Sequence, residues 1–167
     1  MTTSDRDLPE PLAAACASMQ RRWALALLTP VAYAIVATLM RARHWLDRPS
    51  LVERWDGPLG WNLFGGLVAA LIVGLALCRR RQRANVLRLA NEPDAALRRW
   101  IVDFHVMAAL ADALAFLGLL ACALTGRSWP LLAGGALAYL GYAVARPRRS
   151  DLAGLRLPPG FGVDFHA

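Results

Sequence analysis

Asp112 is the least expected residue of this chain, because it is an acidic side chain inside an apolar run. It lies near the middle of residues 104–125, a segment of 22 residues in which it is the only charged one. A charged side chain at the centre of a membrane helix costs about 2.5–3.5 kcal/mol on insertion scales. Asp112 must therefore be neutral, paired or turned toward neighbouring helices. These options make it a candidate protonatable or cation-binding group.

His105, Tyr33 and Tyr139 are the candidate partners of Asp112. His105 precedes it by seven positions, which on a helix puts both side chains on one face about 10 Å apart. That spacing suits a relay rather than a direct bond. Tyr33 and Tyr139 stand near the middle of two other apolar segments, and a tyrosine hydroxyl that donates to the carboxylate would lower its burial cost. Together, the four residues predict an intramembrane polar site.

A structural role is the simpler interpretation of Asp112. No apolar segment contains a basic residue that would pair with it, which favours a hydrogen-bonded carboxyl group that orders the helices. His105 is in turn expected at the membrane interface. Both interpretations stay open at the level of sequence.

Patterns typical of enzymes and metal centres are missing from the sequence. It has no GxSxG, HExxH or Walker motif, no CxxC, and no Cys/His ligand spacing. Its histidines, His44, His105 and His166, are expected at three different levels, which argues against haem. We therefore expect no catalytic residue, no metal, no cofactor and no enzymatic activity.

Four apolar segments are the elements that would position these side chains. Each has 17–22 residues, close to the roughly 20 that cross the hydrocarbon core as a helix. A chain of 167 residues with 57% hydrophobic content cannot bury four such helices in its own core. The prediction is an all-α polytopic membrane protein, a bundle of four transmembrane helices. The spans are residues 23–40, 59–78, 104–125 and 129–145.

The arginines predict how these helices are oriented. All 19 basic residues are arginine; 14 lie before the first span, between the second and third, or after the fourth, and 5 lie in the other two links. The positive-inside rule then places both termini and the central link in the cytoplasm. Membrane sidedness accounts for the net charge of +7, so no nucleic-acid partner is expected. The exclusive use of arginine suggests a GC-rich bacterium, and hence the inner membrane.

The chain divides into three parts on this basis. Residues 1–21 are predicted as a cytoplasmic segment with a short helix, residues 22–145 as the transmembrane domain, and residues 146–167 as a mostly unstructured cytoplasmic tail. Within the first span, Pro30 removes a backbone hydrogen bond and predicts a kink.

Small residues and clustered arginines predict two kinds of contact. Small side chains at helical spacing let another helix approach closely, and they occur in the second and fourth spans at Gly66, Ala70, Gly74, Gly134 and Gly141. Arginines directly after the second span are expected to contact anionic lipid, although membrane orientation alone explains them. They are Arg79, Arg80, Arg81 and Arg83.

Three functions are compatible with these patterns. The leading hypothesis is a structural or accessory subunit that packs against itself, as a homo-oligomer, or against a larger membrane complex. The alternative is a proton- or cation-coupled carrier that uses Asp112. A weaker alternative is a protein that binds or processes lipid head groups at the arginine cluster.

Overall fold

The computed structural model describes residues 10–43, 57–89 and 91–152, and every regular element in these ranges is helical. The predicted all-α class is therefore confirmed for the described part of the chain. The helices are α1 (Glu10–Ala26), α2 (Thr29–Ala42), α3 (Pro58–Arg88), α4 (Pro93–Thr125) and α5 (Trp129–Ala145), and a short 3-10 turn follows at Arg149–Asp151.

Three helical stretches are long and apolar enough to cross a membrane, by length and composition. They are Leu12–Ala42, which joins α1 and α2, and the whole of α3 and of α4. At 1.5 Å per residue, α3 and α4 are about 45–50 Å long, which exceeds the roughly 30 Å of the hydrocarbon core. Helix α5 is apolar but shorter, with 17 residues. These lengths support a multi-pass membrane protein.

Helix α4 is the centre of the bundle and contacts each of the other four helices. Helices α3 and α5 run antiparallel to it, as the hydrogen bond from Asn85 to Asp103 shows for α3. Helices α1 and α2 run parallel to it, because Arg22 lies beside His105 and Arg41 beside Gly126. Helix α1, the end of α3, the start of α4 and the residues after α5 therefore lie at the same end of the bundle. We call it the arginine-rich end.

The predicted kink at Pro30 is present as a break between two helices. Helix α1 ends at Ala26 and α2 begins at Thr29, with Pro30 in the first turn of α2. Proline is tolerated there because the first N–H groups of a helix have no partner within it. The break leaves Thr29 at the start of a new helix, at a level inside the apolar segment.

Two clusters of buried side chains hold the bundle together. The first lies at the arginine-rich end, where Leu12 and Met19 of α1 pack with Trp100 and Phe104 of α4 and with Leu152. The second lies deeper between α3, α4 and α5 and includes buried Leu, Met, Ala and Tyr side chains. Helix α1 and residues 146–152 are thus packed onto the bundle, whereas residues 153–167 of the predicted tail lie outside the described residues.

Helices α4 and α5 approach each other closely at two glycines. A Cβ atom built on Gly134 would lie 2.7 Å from the Cα atom of Gly118, so neither position has room for a side chain. Seven residues further along α5, a Cβ atom on Gly141 would lie 3.0 Å from that of Ala111. The short link 126–128 permits this approach, because Gly126 adopts a positive φ of 68° as it ends α4.

Candidate intramembrane polar site

The direct partner of Asp112 is Tyr142 on α5. The hydroxyl group of Tyr142 donates a hydrogen bond to Oδ1 of Asp112. Tyr142 is completely buried, with 0% of its surface exposed, whereas Asp112 is half-buried. The close packing of Gly141 against Ala111, the neighbours of these residues in sequence, brings the two side chains together.

Two residues of the first apolar segment fix Tyr142 from the other side. The indole Nε1 of Trp23 donates to the main-chain oxygen of Tyr142 over 2.8 Å. The side chain of Thr29, next to the α1–α2 break, lies close to the Tyr142 hydroxyl group. Thr29 therefore lies beside the hydrogen-bonded pair of Tyr142 and Asp112, where α2, α5 and α4 meet.

The tyrosines expected from the sequence occupy other positions. Tyr33 packs against the deep cluster that contains Tyr142, and its ring centroid lies 6.1 Å from that of Phe116. Tyr139 is 43% exposed on the outer side of α5. Within the described residues, neither tyrosine makes a hydrogen bond to Asp112. The tyrosine of α5 that bonds to Asp112 is Tyr142, whereas the pattern of the sequence suggests Tyr139.

One signal in the sequence points to Tyr142. The link between α4 and α5 is centred on Arg127, and Asp112 and Tyr142 each lie 15 residues from it. Two helices joined by so short a link run antiparallel, so residues equally far from its centre lie at the same level. A comparison of each residue with the middle of its own apolar segment does not pair Asp112 with Tyr142.

His105 lies apart from Asp112, at the arginine-rich end. Its Nδ1–H group donates to the carbonyl oxygen of Ile101 over 2.8 Å, which leaves Nε2 as the acceptor for Arg22 at 3.4 Å. The ring is exposed and faces α1. This geometry is typical of an interfacial histidine.

Asp112 is not a member of an ion pair among the described residues. In the described part of the chain, the ion pairs join Arg79 to Asp151 and Arg99 to Asp103, at the arginine-rich end. The same residues contain no group of three or more His, Cys, Asp or Glu side chains that could hold a metal ion. The contact shown for the Asp112 carboxyl group is therefore the hydrogen bond from the Tyr142 hydroxyl group.

A second polar cluster lies at the arginine-rich end and engages Arg79, which the sequence assigned to anionic lipid. Only 8% of Arg79 is exposed. Its guanidinium group donates to both carboxylate oxygens of Asp151, over 3.0 and 3.1 Å, and to the side-chain oxygen of Gln82. The guanidinium group of Arg79 thus bonds to side chains of the same chain, whereas Arg80, Arg81 and Arg83 are exposed.

The small residues of α3 differ in their surroundings. A Cβ atom on Gly74 would contact Leu110 of α4 at 3.6 Å, so this end of the stripe faces the bundle. Gly66 and Ala70 are exposed, and a Cβ atom on Gly66 would meet nothing within 4 Å. The outer half of the stripe is therefore unpacked within the described part of a single chain.

Comparison of the chain with protein-family models, with curated proteins and with solved structures gives no match. The function must therefore be inferred from the contacts, cavities and exposed surfaces of the molecule itself.

Proposed function

We propose that this protein is a structural or accessory subunit of a bacterial inner membrane, which packs against a second copy of itself or against a larger membrane complex. It would cross the membrane four times with both termini in the cytoplasm. Helix α5, about 26 Å long, is close to the roughly 30 Å of the hydrocarbon core and would be the fourth span. The concentration of arginines at one end of the bundle supports this orientation.

The exposed small-residue face of α3 is the observation on which the proposal rests. Gly65, Gly66, Ala69 and Ala70 are exposed in the outer half of this helix, and little of its apolar part is buried. Association of helices in a membrane depends on close van der Waals packing, which small residues allow. A second helix would therefore find on α3 a surface that backbone atoms can approach.

Among the described helices, α3 alone exposes glycines, although it also exposes large side chains such as Leu63 and Leu67. Helix α2 exposes Ile35, Val36 and Leu39, and α5 exposes Leu132 and Leu140. Large aliphatic side chains of this kind are suited to contact with lipid tails. The glycines of α3 are therefore the better candidates for a protein contact. The hydrogen bond from Tyr142 to Asp112 fits the same proposal, since it gives the carboxyl group a structural role.

The proposal is tested by Gly66→Leu, with Ala136→Leu as the matched control. Both positions are exposed, and a Cβ atom built on Gly66 has no atom of the described chain within 4 Å, so both variants should fold as the wild type does. We expect wild-type protein to associate in mild detergent, with itself or with a co-purifying complex. Gly66→Leu should weaken that association about fivefold or more, because overpacking a contact typically costs about 1–3 kcal/mol.

Association would be measured by crosslinking in native membranes and by the mass of the particle in detergent. Ala136→Leu should behave as the wild type. A monomeric wild-type protein without a partner, or a Gly66→Leu variant that associates normally, would contradict the proposal.

The orientation has its own test. A reporter enzyme fused after Arg83 should be active as a cytoplasmic reporter, because the central link lies at the arginine-rich end. Activity of a periplasmic reporter at that position would reverse the arrangement.

A proton- or cation-coupled carrier is the second candidate, and the helix break beside the polar site favours it. Interrupted helices near the bilayer midplane form the substrate and ion sites of many transporters. Here the break between α1 and α2 puts Thr29 next to the Tyr142–Asp112 pair. Asp112 would be the group that takes up and releases the proton or binds the cation.

This candidate is tested in vesicles that contain the purified protein and a pH-sensitive dye. A carrier should move protons when a gradient of pH, sodium or potassium is imposed across the vesicle membrane. Asp112→Asn should abolish that movement. Asp94→Asn, which changes an exposed carboxylate at the start of α4, is the control. Equal flux through wild type and Asp112→Asn would exclude the mechanism.

A further inference from the structure

A groove between α3 and α5 leads from the apolar middle of the bundle to the arginine-rich end. Its volume is about 460 Å³. Leu75 and Ala76 of α3 and Leu137 and Leu140 of α5 are among the apolar residues that line it, and its polar lining is provided by Arg79, Arg80 and Arg83. The groove therefore has an apolar wall along its length and cations at one end.

A second cavity adjoins the groove at Arg83, which lines both. It has a volume of about 370 Å³, and Gln82, Trp100 and Asp151 are also part of its lining. Trp100 is 1% exposed, and its Nε1–H group has no acceptor among the described residues. A buried donor without a partner costs about 1–3 kcal/mol, so an acceptor oxygen brought here by a ligand would be stabilised.

The charged residues that line the two cavities leave an excess of positive charge. Asp151, the carboxylate in the lining, is already neutralised by Arg79. Within residues 10–43, 57–89 and 91–152, neither Arg80 nor Arg83 forms an ion pair. Two uncompensated cations thus lie at the junction of an apolar groove and a cavity whose lining includes Trp100, the residue with the unpaired N–H donor.

We propose that these two cavities together bind one anionic glycerophospholipid. An acyl chain would lie against the α3–α5 groove, the phosphate group would lie between Arg80 and Arg83, and a head-group oxygen would accept from Trp100 Nε1. Arg80 and Arg83 follow Cys78, the last residue of the apolar run of α3, by two and five residues. If α3 spans the bilayer, this position is at the depth of the lipid phosphate groups. The proposal is independent of any association through Gly66.

The arginines are tested by measuring which lipids stay bound after purification in mild detergent. Wild-type protein should retain anionic lipid in preference to zwitterionic lipid, as measured by mass spectrometry of the extract. Replacing Arg80 or Arg83 by glutamine should lower that retention about fivefold each, because an arginine at an anionic surface contributes about 1 kcal/mol. Arg81→Gln is the control, since Arg81 is exposed but lines neither cavity.

The groove and the N–H donor are tested separately. Ala76→Phe should fill the groove and displace the acyl chain, whereas Ala136→Phe, at an exposed position outside the groove, should not. Trp100→Phe keeps an aromatic ring but removes the donor, and should reduce the preference for anionic over zwitterionic lipid. The thermal unfolding of each delipidated variant is measured first, so that loss of lipid is distinguished from loss of fold.

Titration of delipidated protein identifies the ligand class. Phosphatidylglycerol in detergent micelles should raise the unfolding temperature, whereas phosphatidylcholine and soluble glycerol phosphate should have little effect. Equal stabilisation by both lipids would overturn the proposal, as would equal retention by the Arg80→Gln/Arg83→Gln variant and wild type. Full stabilisation by glycerol phosphate alone would assign the cavity to a soluble anion instead.

Discussion

Replacement of Gly134 by alanine should destabilise the bundle, whereas the same change at Gly66 should not. A Cβ atom on Gly134 would lie 2.7 Å from the Cα atom of Gly118 and 2.8 Å from the carbonyl oxygen of Leu114, whereas ordinary contact begins at 3.4 Å. Both neighbours are backbone atoms, which cannot rotate away as a side chain could. Helices α4 and α5 would have to move apart, and overpacking of this kind typically costs about 1–3 kcal/mol.

The comparison of the two variants isolates this cost. Both changes replace a helical glycine, and alanine favours the helix by about 1 kcal/mol at either position. At Gly66 nothing lies within 4 Å of the new Cβ atom, so Gly66→Ala should be as stable as the wild type or more so. The difference in the free energy of unfolding between the variants should therefore be about 1–3 kcal/mol, with Gly134→Ala the less stable.

The assay is the loss of helical circular dichroism when SDS is titrated into protein held in mild-detergent micelles. Gly118→Ala should resemble Gly134→Ala, because its Cβ atom would lie 2.7 Å from the carbonyl oxygen of Pro130. If Gly134→Ala were as stable as Gly66→Ala, the antiparallel register of α4 and α5 would be wrong. The contact between Asp112 and Tyr142, which depends on that register, would then be wrong as well.

The same unfolding assay tests two polar contacts. Tyr142→Phe should lower the free energy of unfolding by about 0.6 kcal/mol and by no more than about 1.7 kcal/mol, the mean and the maximum for hydrogen bonds between membrane helices, and should cost less when Asp112 is already asparagine; equal costs in both backgrounds would show that the bond contributes nothing. Asp151→Asn should cost about 3–5 kcal/mol because it leaves Arg79 buried without a carboxylate. Arg99→Gln should cost less than Asp151→Asn, because Arg99 is 38% exposed, it lies 3.6 Å from Asp103, and the amide group of Asn85 still donates to Asp103; a similar loss in both variants would contradict this difference.

The helices and the break at Pro30 were predictable because their signals are local. An apolar run of about 20 residues has few alternatives to a helix, and a proline lacks the N–H group that a helix interior requires. The chemistry of Asp112 was also visible as an acidic residue in such a run. These features depend on residue type and length alone.

The partners of the polar residues were harder to predict because they depend on helical phase and register. The choice between Tyr139 and Tyr142 as the partner of Asp112 requires the register of α4 and α5. The prediction from sequence used only the depth of each residue within its apolar segment. The burial of Arg79 follows from its position on the face of α3 that contains Leu75 and Gln82, four residues before and three after. Its carboxylate partner lies beyond the last predicted span, where helix patterns give no guide.

The ion pair between Arg79 and Asp151 also bears on the order of assembly. The two residues are 72 positions apart, and a chain is made from its N-terminus, so Arg79 is synthesised long before its carboxylate partner. In the proposed orientation, Arg79 would until then be an unpaired cation that holds this end of the apolar helix in the cytoplasm. Once Asp151 is made, the same guanidinium group becomes part of a closed contact, and the residues after α5 are tied to α3. In the proposed orientation, one arginine would thus act first in membrane insertion and afterwards in the folded bundle.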